Sequence, residues 1–337
     1  MVATPEGGIT LGGETGVRNH VIWIANSPQG TVSKIDTRER VETGRYSTGE
    51  GGRALYGTIN PTTGAVTVSR RTASFRDVIR HRNENSDRSY SATVQLQKRF
   101  SDGVEFGAGY TYSRTQDLFS LTSSTANSNL RFTVLDGTIQ NRNLRTSFFD
   151  IPHKVVLSGT ANLPFDIRAS MVYTGASGSP YAYVVSTDVN ADGLTQNDAV
   201  YVPRNQGDIT LAAGASWAAL DSIINTEPCL KAYRGSILPR NACRNPWTSF
   251  FDVKLSKVIP SIGSHALELT ADIFNLLHML NKEWGVVRQK SGFEQVSMLR
   301  STGYDATRQR PIYALALPQP TVVTDRWRVQ LGARYTF

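Results

Sequence analysis

Two cysteines, four methionines and five histidines are all the soft or imidazole ligands in 337 residues. His20, His81, His153, His265 and His278 are scattered, without the close spacing of a zinc site. No apolar run approaches the roughly 20 residues of a membrane-spanning helix. The opening "MVATPEGGITLGGETG" has neither a basic stretch nor an apolar one, so no secretory leader is expected there. There is no G-x-S-x-G, no phosphate-binding glycine loop and no H-E-x-x-H, and "GEGGRALYG" lacks the required spacing and reads as turns. The expectation is that the chain is not an enzyme. Its net charge of +8 comes from scattered basic residues with no nucleic-acid-binding motif, so nucleic acid is not an expected partner. Mean hydropathy is -0.28 and charged residues make up 19%, averages typical of soluble proteins. Those averages leave open a membrane barrel, which hides its apolar residues by alternation.

Alternation is what the chain does have. In the closing "DRWRVQLGARYTF", Trp327, Val329, Leu331, Ala333, Tyr335 and Phe337 share one face, against Arg326, Arg328, Gln330, Gly332, Arg334 and Thr336. Six further segments repeat the pattern. They are "SYSATVQLQKRF", "VEFGAGYTYSR", "HKVVLSGTANL", "DIRASMVYTG", "FFDVKLSKV" and "HALELTADIFNLL". Val156 and Val172 are exceptions on polar faces. Seven strands of this kind suit a tilted bilayer crossing. An additional early strand, "TGAVTVSRR" (63–71), would make eight.

The connections alternate in length. Short ones lie at 101–103, 164–165 and 259–264, and long ones at 117–148, 178–246 and 279–322. Soluble sheets rarely carry structureless loops of that length, whereas outer-membrane barrels pair short periplasmic turns with long outside loops. The expected fold is all-β, an antiparallel transmembrane β-barrel segment of seven to eight strands with long extracellular loops. Tyr110, Tyr112, Tyr173, Trp327, Tyr335 and Phe337 lie toward strand ends on the apolar face, where an aromatic girdle belongs. Arg326, Arg328, Arg334, Lys254, Asp252, Asp272 and Glu268 then face a wet or protein-filled interior. A barrel phospholipase would need a Ser/His pair, and His153 with Ser158 makes no convincing one.

From about residue 52 onward the chain resembles the C-terminal barrel of a TonB-dependent outer-membrane receptor of the Oar-like group. The resemblance rests on the order of "DRSYSATVQLQKRFSDGVEFGAGYTYSRTQD", "FFDIPHKVVLSGTANLP", "GSPYAYVVSTDVNADGLTQNDAVYVPR", "NPWTSFFDVKLSKV", "LELTADIFNLLH" and "RVQLGARYTF". It implies nutrient uptake across the bacterial outer membrane. The implied partners are membrane lipid and lipopolysaccharide, the barrel-assembly machinery, a small ligand and, in a full receptor, the TonB complex. It also implies that Phe337 and Tyr335 carry the assembly signal. No plug or TonB box is recognisable, so the chain resembles the last third of a receptor. Residues 19–49 resemble one repeat of a YVTN-type β-propeller, which divides the chain into 1–51 and a barrel part, 52–337. The competing readings are a small autonomous eight-strand barrel of structural or adhesive role, and a soluble β-rich enzyme or adhesin.

One loop carries ligand chemistry. In "DVNADGLTQND", Asp188, Asn190 and Asp192 hold positions 1, 3 and 5 of a calcium-loop pattern, with Gly193 at 6 for the sharp turn. Position 12 is Ala199, and the nearest acid is Asp198. The same residues serve equally as an Asx-rich turn bonded to its own backbone. Cys229 and Cys243 share an outside loop, where an oxidising compartment would join them rather than leave two free thiols.

Overall fold

The computed structural model describes residues 50–60, 62–69, 79, 83–100, 103–260, 265–290, 294–316, 323 and 326–337, with the backbone of strands at 2–3, 9–10, 21–26, 31–36, 41–47 and 321–322. All seven alternating segments are strands. They are β1 (Arg88–Arg99), β2 (Glu105–Asp117), β3 (His153–Leu163), β4 (Ile167–Ala176), β5 (Thr248–Pro260), β6 (Ala266–Phe274) and β7 (Arg328–Thr336). They form one antiparallel meander in chain order, to which the short strand Arg145–Thr146 adds at β2.

A single register runs through this wall. One row crosses all seven strands as Arg99, Glu105, Thr160, Ser170, Lys254, Asp272 and Gln330. The neighbouring row is Lys98, Phe106, Gly159, Met171, Val253, Ile273 and Val329. Because side chains alternate, a slip of one residue in any strand would exchange these faces. Among the described residues, large side chains of the apolar face are open to the outside: Leu331 is 79% exposed and Val94 72%. In water such a face would be an aggregation surface, whereas against hydrocarbon it is the buried side. Among the described residues, no helix is long and apolar enough to cross a membrane.

Among the described residues, β1 and β7 each have a wall neighbour on one side only. Both run toward the short-turn end, so pairing them directly would make a parallel seam. All-antiparallel closure takes an odd number of further strands between them. The predicted eighth strand does not supply one. Val66–Val68 pairs with Gly57–Ile59 in a separate hairpin, away from the wall. Gly57 is needed there, since a Cβ would meet the Thr67 carbonyl at 2.1 Å and the Ala191 side chain at 3.0 Å.

The long connections are not structureless, and this corrects the reading from sequence. Among the described residues, every buried hydrophobic side chain lies in them. Pro180–Val185, buried at every position, pairs in parallel with Gln295–Asp305, which forms a hairpin with Arg310–Leu315. Thr210–Leu211, Asp198–Ala199 and Cys243–Arg244 extend this sheet to six strands. The helix Trp217–Thr226 packs on it through Leu220 and Ile224, its N-terminus capped by Ser216 Oγ, which accepts from the Ala219 N–H. Three loops at one end of the wall thus build one folded body. Near the N-terminus, Val21–Asn26, Thr31–Asp36 and Val41–Ser47 form an antiparallel three-stranded meander.

Leu331→Arg should impair membrane assembly, since an arginine at the bilayer midplane costs roughly 2 to 4 kcal/mol, while Gln330→Arg should be tolerated. Outer-membrane yield of folded protein measures both. Equal yields would contradict the lipid-facing assignment.

Candidate functional site

Of the charges expected on the polar face, Lys254 and Asp272 pair across strands, and Arg99 and Glu105 form a second cross-strand pair. Lys254 Nζ stands 3.3 Å from Asp272 Oδ1, and Arg99 reaches Glu105 at 3.4 Å. Asp252 accepts the Asn275 N–H at 2.8 Å, fixing the start of the third long loop to the wall. Small residues open a recess of about 320 Å³ lined by Gln95, Gln97, Glu105, Gly107, Gly109, Ser158 and Thr160. Val156, an apolar exception in the sequence, also lines it. His153 and Ser158 occupy opposite faces of β3, five positions apart, so the strand's alternation keeps them from acting as a pair.

Above the wall, the three long loops meet at Arg240, which is 2% exposed. Its guanidinium donates to Asp117 Oδ1 at 2.6 Å, Ser120 Oγ at 2.9 Å and Glu294 Oε1 at 3.3 Å. Its backbone N–H donates to Asp136 Oδ2 at 2.9 Å. Asp117 ends β2, Asp136 belongs to the first loop, Arg240 to the second and Glu294 to the third. Arg244 adds a second clamp, donating to Asp150 Oδ2 at 2.6 Å and the Gly178 carbonyl at 2.9 Å. Charge-assisted bonds of this kind are the strong ones, and breaking one member leaves a buried charge alone.

Electrostatics at this hub are uneven. Burial lifts the Glu294 carboxyl above its usual range, with Arg240 pulling the other way. Burial also acts on Asp136, but it is outweighed by hydrogen bonds from Arg145, Asn143 and the Arg240 N–H, which hold that carboxyl below its usual value. Burial, reinforced by nearby Arg240, lowers the Arg142 guanidinium to about 10. Arg142 lies over the Phe119 ring, 4.5 Å from its centroid.

The candidate calcium residues come together. Asp188 accepts the N–H groups of Asn190, Ala191 and Gly193 at 3.2, 2.7 and 2.9 Å, with Gly193 at φ +85° as a sharp turn requires. Asp192 accepts the Leu194 N–H and the side-chain amides of Asn190 and Asn197. Asp198 is fully buried and is drawn away to Arg53, 3.3 Å distant. Among the described residues, no group of three or more His, Cys, Asp or Glu side chains is disposed to hold a metal. Cys229 and Cys243 are joined in a disulfide, Cα to Cα 5.2 Å. Tyr335 donates to or accepts from His265 Nδ1 at 3.1 Å and stacks on Phe337 at 6.4 Å, on the apolar face near the short-turn end. The residues that sequence reasoning missed are Arg240, Glu294, Asp136 and Arg53. No motif spacing marks them: Arg53 and Arg240 meet their acidic partners across more than 50 residues, and Asp136 bonds the Arg240 N–H across 104.

The family profile described as "Outer membrane beta barrel domain" matches residues 13–283. No curated protein matches the chain.

Asp136 gives a pH signature. Its carboxyl is lowered on folding from an unfolded value near 3.9. It therefore stabilises the loop body above about pH 4, and that contribution is lost as pH falls through the lowered value. Asp136→Asn should cost about 1 to 3 kcal/mol at neutral pH, and the difference in thermal midpoint from wild type should narrow below pH 4. A difference that stays constant into acid would contradict the assignment.

Proposed function

The chain belongs to the outer membrane beta barrel domain family, and from that membership we propose that it forms the wall and ligand-facing loops of a TonB-dependent uptake receptor. As a member it is a bacterial outer-membrane β-barrel protein. The transport reading is ours and rests on one observation above others. Among the described residues, the buried hydrophobic core lies in the long connections, in a body seated on one end of the wall. A simple structural barrel has no use for such a body, whereas a receptor needs a rigid scaffold on which to display contact residues. The polar inner face, with its paired charges and recess, suits a protein-filled or wet lumen. Energised release of ligand would come from the TonB complex in the full receptor.

The small autonomous barrel is the second reading. Two observations weigh against its expected form: Val66–Val68 pairs outside the wall, and direct closure of β1 on β7 would be parallel. In membrane barrels, antiparallel closure is the rule.

Spin labels on β1 and at Ala333→Cys, in protein assembled in the outer membrane, separate the two by their distance. An eight-strand barrel leaves one strand between β1 and β7, which sets their backbones about 10 Å apart. The receptor reading predicts a separation of more than about 20 Å across the seven-strand wall, and uptake that stops when the proton gradient is collapsed. A separation near 10 Å, or uptake that persists without the gradient, would overturn it.

A further inference from the structure

We propose that Arg88 and Arg114, at the outer end of the lipid-facing side of the wall, clamp the phosphate of an outer-leaflet glycolipid of the lipopolysaccharide kind. The register puts them on that side. Val94 stands opposite Tyr110, Ala92 opposite Tyr112, Tyr90 opposite Arg114, and Arg88 opposite Gln116, all on one face of β1 and β2. Both arginines therefore follow the apolar row outward, past its tyrosines, to the end from which the long loops rise. They are diagonal neighbours on adjacent strands, which sets their Cβ atoms about 7 Å apart. One phosphate can reach both guanidinium groups.

The sign of the charge points to an anionic partner. The polar face of the seven strands carries both signs, and its acids pair with its bases. On the lipid-facing side the strands carry basic residues and no acid: Arg88 and Arg114 at the outer end, Lys98 and Lys257 at the short-turn end. None of these four has an ion-pair partner among the described residues. The acids that flank the two arginines are engaged elsewhere. Asp87 accepts the Leu118 N–H at 2.9 Å, Asp117 pairs with Arg240, and Asp150 with Arg244. Two neighbouring cations without an acid repel each other until an anion joins them.

The geometry favours a phosphate at headgroup level. Arg88 Nε and Nη2 both donate to Gln116 Oε1, at 3.0 and 2.8 Å, which holds the guanidinium across the strands and leaves its other N–H donors uncommitted. Arg114 is exposed beside it. A guanidinium fork matches phosphate oxygens, and the tyrosines below mark the level where hydrocarbon gives way to headgroups. Continuity with the apolar face selects a lipid, whose acyl chains would cover Val94 and Leu96. The short-turn end offers no such clamp, since β2, β3 and β4 separate Lys98 from Lys257. The site rests on the lipid-facing assignment of the wall, which Leu331→Arg tests separately, and not on the transport reading.

The test is binding of defined lipids to the full chain in detergent, read by native mass spectrometry. Wild type should hold bis-phosphorylated lipid A about tenfold tighter than the same lipid stripped of its phosphates, the factor expected for charge-assisted hydrogen bonds. It should prefer lipid A to phosphatidylglycerol by about the same factor. Arg88→Gln together with Arg114→Gln should abolish both preferences. Lys98→Gln together with Lys257→Gln should keep them, and Arg114→Lys should keep part of each, which loss of folding could not do. The wild-type comparison needs no variant to fold. Equal affinity for phosphorylated and stripped lipid would overturn the proposal. So would equal retention of phosphatidylglycerol, arginine-dependent dimers in place of bound lipid, or a preference that survives the loss of both arginines.

Discussion

Everything in this structure follows from one constraint: in hydrocarbon, each backbone N–H and C=O must find a partner within the protein. A β-sheet satisfies that constraint only where every strand has neighbours. The seven-strand wall meets it across five inner strands through an unbroken register, from Arg99 opposite Glu105 to Asp272 opposite Gln330. The register also sorts the side chains, because rows that hold Met171, Val253, Ile273 and Val329 alternate with rows that hold Ser170, Lys254, Asp272 and Gln330. Lipid then takes the place of a hydrophobic core, and the wall itself buries no large apolar side chain against protein. The same constraint makes the edges at β1 and β7 the least satisfied part of the molecule.

A wall that spends its apolar residues on lipid leaves the protein's own core to form elsewhere. It forms in the loops, around Pro180–Val185 and Gln295–Asp305. Arg240 then fixes that body to the wall by holding Asp117, at the top of β2, and Glu294, from the third loop, in one set of hydrogen bonds. The Cys229–Cys243 disulfide and the Asp-rich loop tighten the same body from other sides. Recognition by the loops and anchorage in the membrane are thus assigned to separate parts joined at one buried guanidinium.

The wall was legible in the sequence because alternation is a local signal. The closing strand can be read from Val329, Leu331, Ala333 and Tyr335 without knowing its neighbour. The loop body was not legible, for a matching physical reason. "YAYVV" is a continuous apolar run, which marks burial without distinguishing its setting, and its parallel partner begins at Gln295, more than 100 residues on. Strand "TGAVTVSRR" alternates correctly and misled for that reason, since alternation says nothing of which sheet a strand joins. Asp188, Asn190, Asp192 and Gly193 were legible through fixed spacing, whereas Arg53 and Asn197 complete their surroundings through contacts that only the fold brings about.

The central claim is that one face of the wall meets lipid and the other does not. Spin labels placed singly at residues 327 to 336, in protein assembled into bilayers, test it most directly. Collision with oxygen, which partitions into lipid, and with a water-soluble nickel chelate reports the surroundings of each position. The account predicts alternation with period two, with oxygen access at Val329, Leu331, Ala333 and Tyr335, and chelate access or protection at Arg328, Gln330, Gly332 and Arg334. Accessibility that does not alternate, or that alternates in the opposite phase, would contradict it.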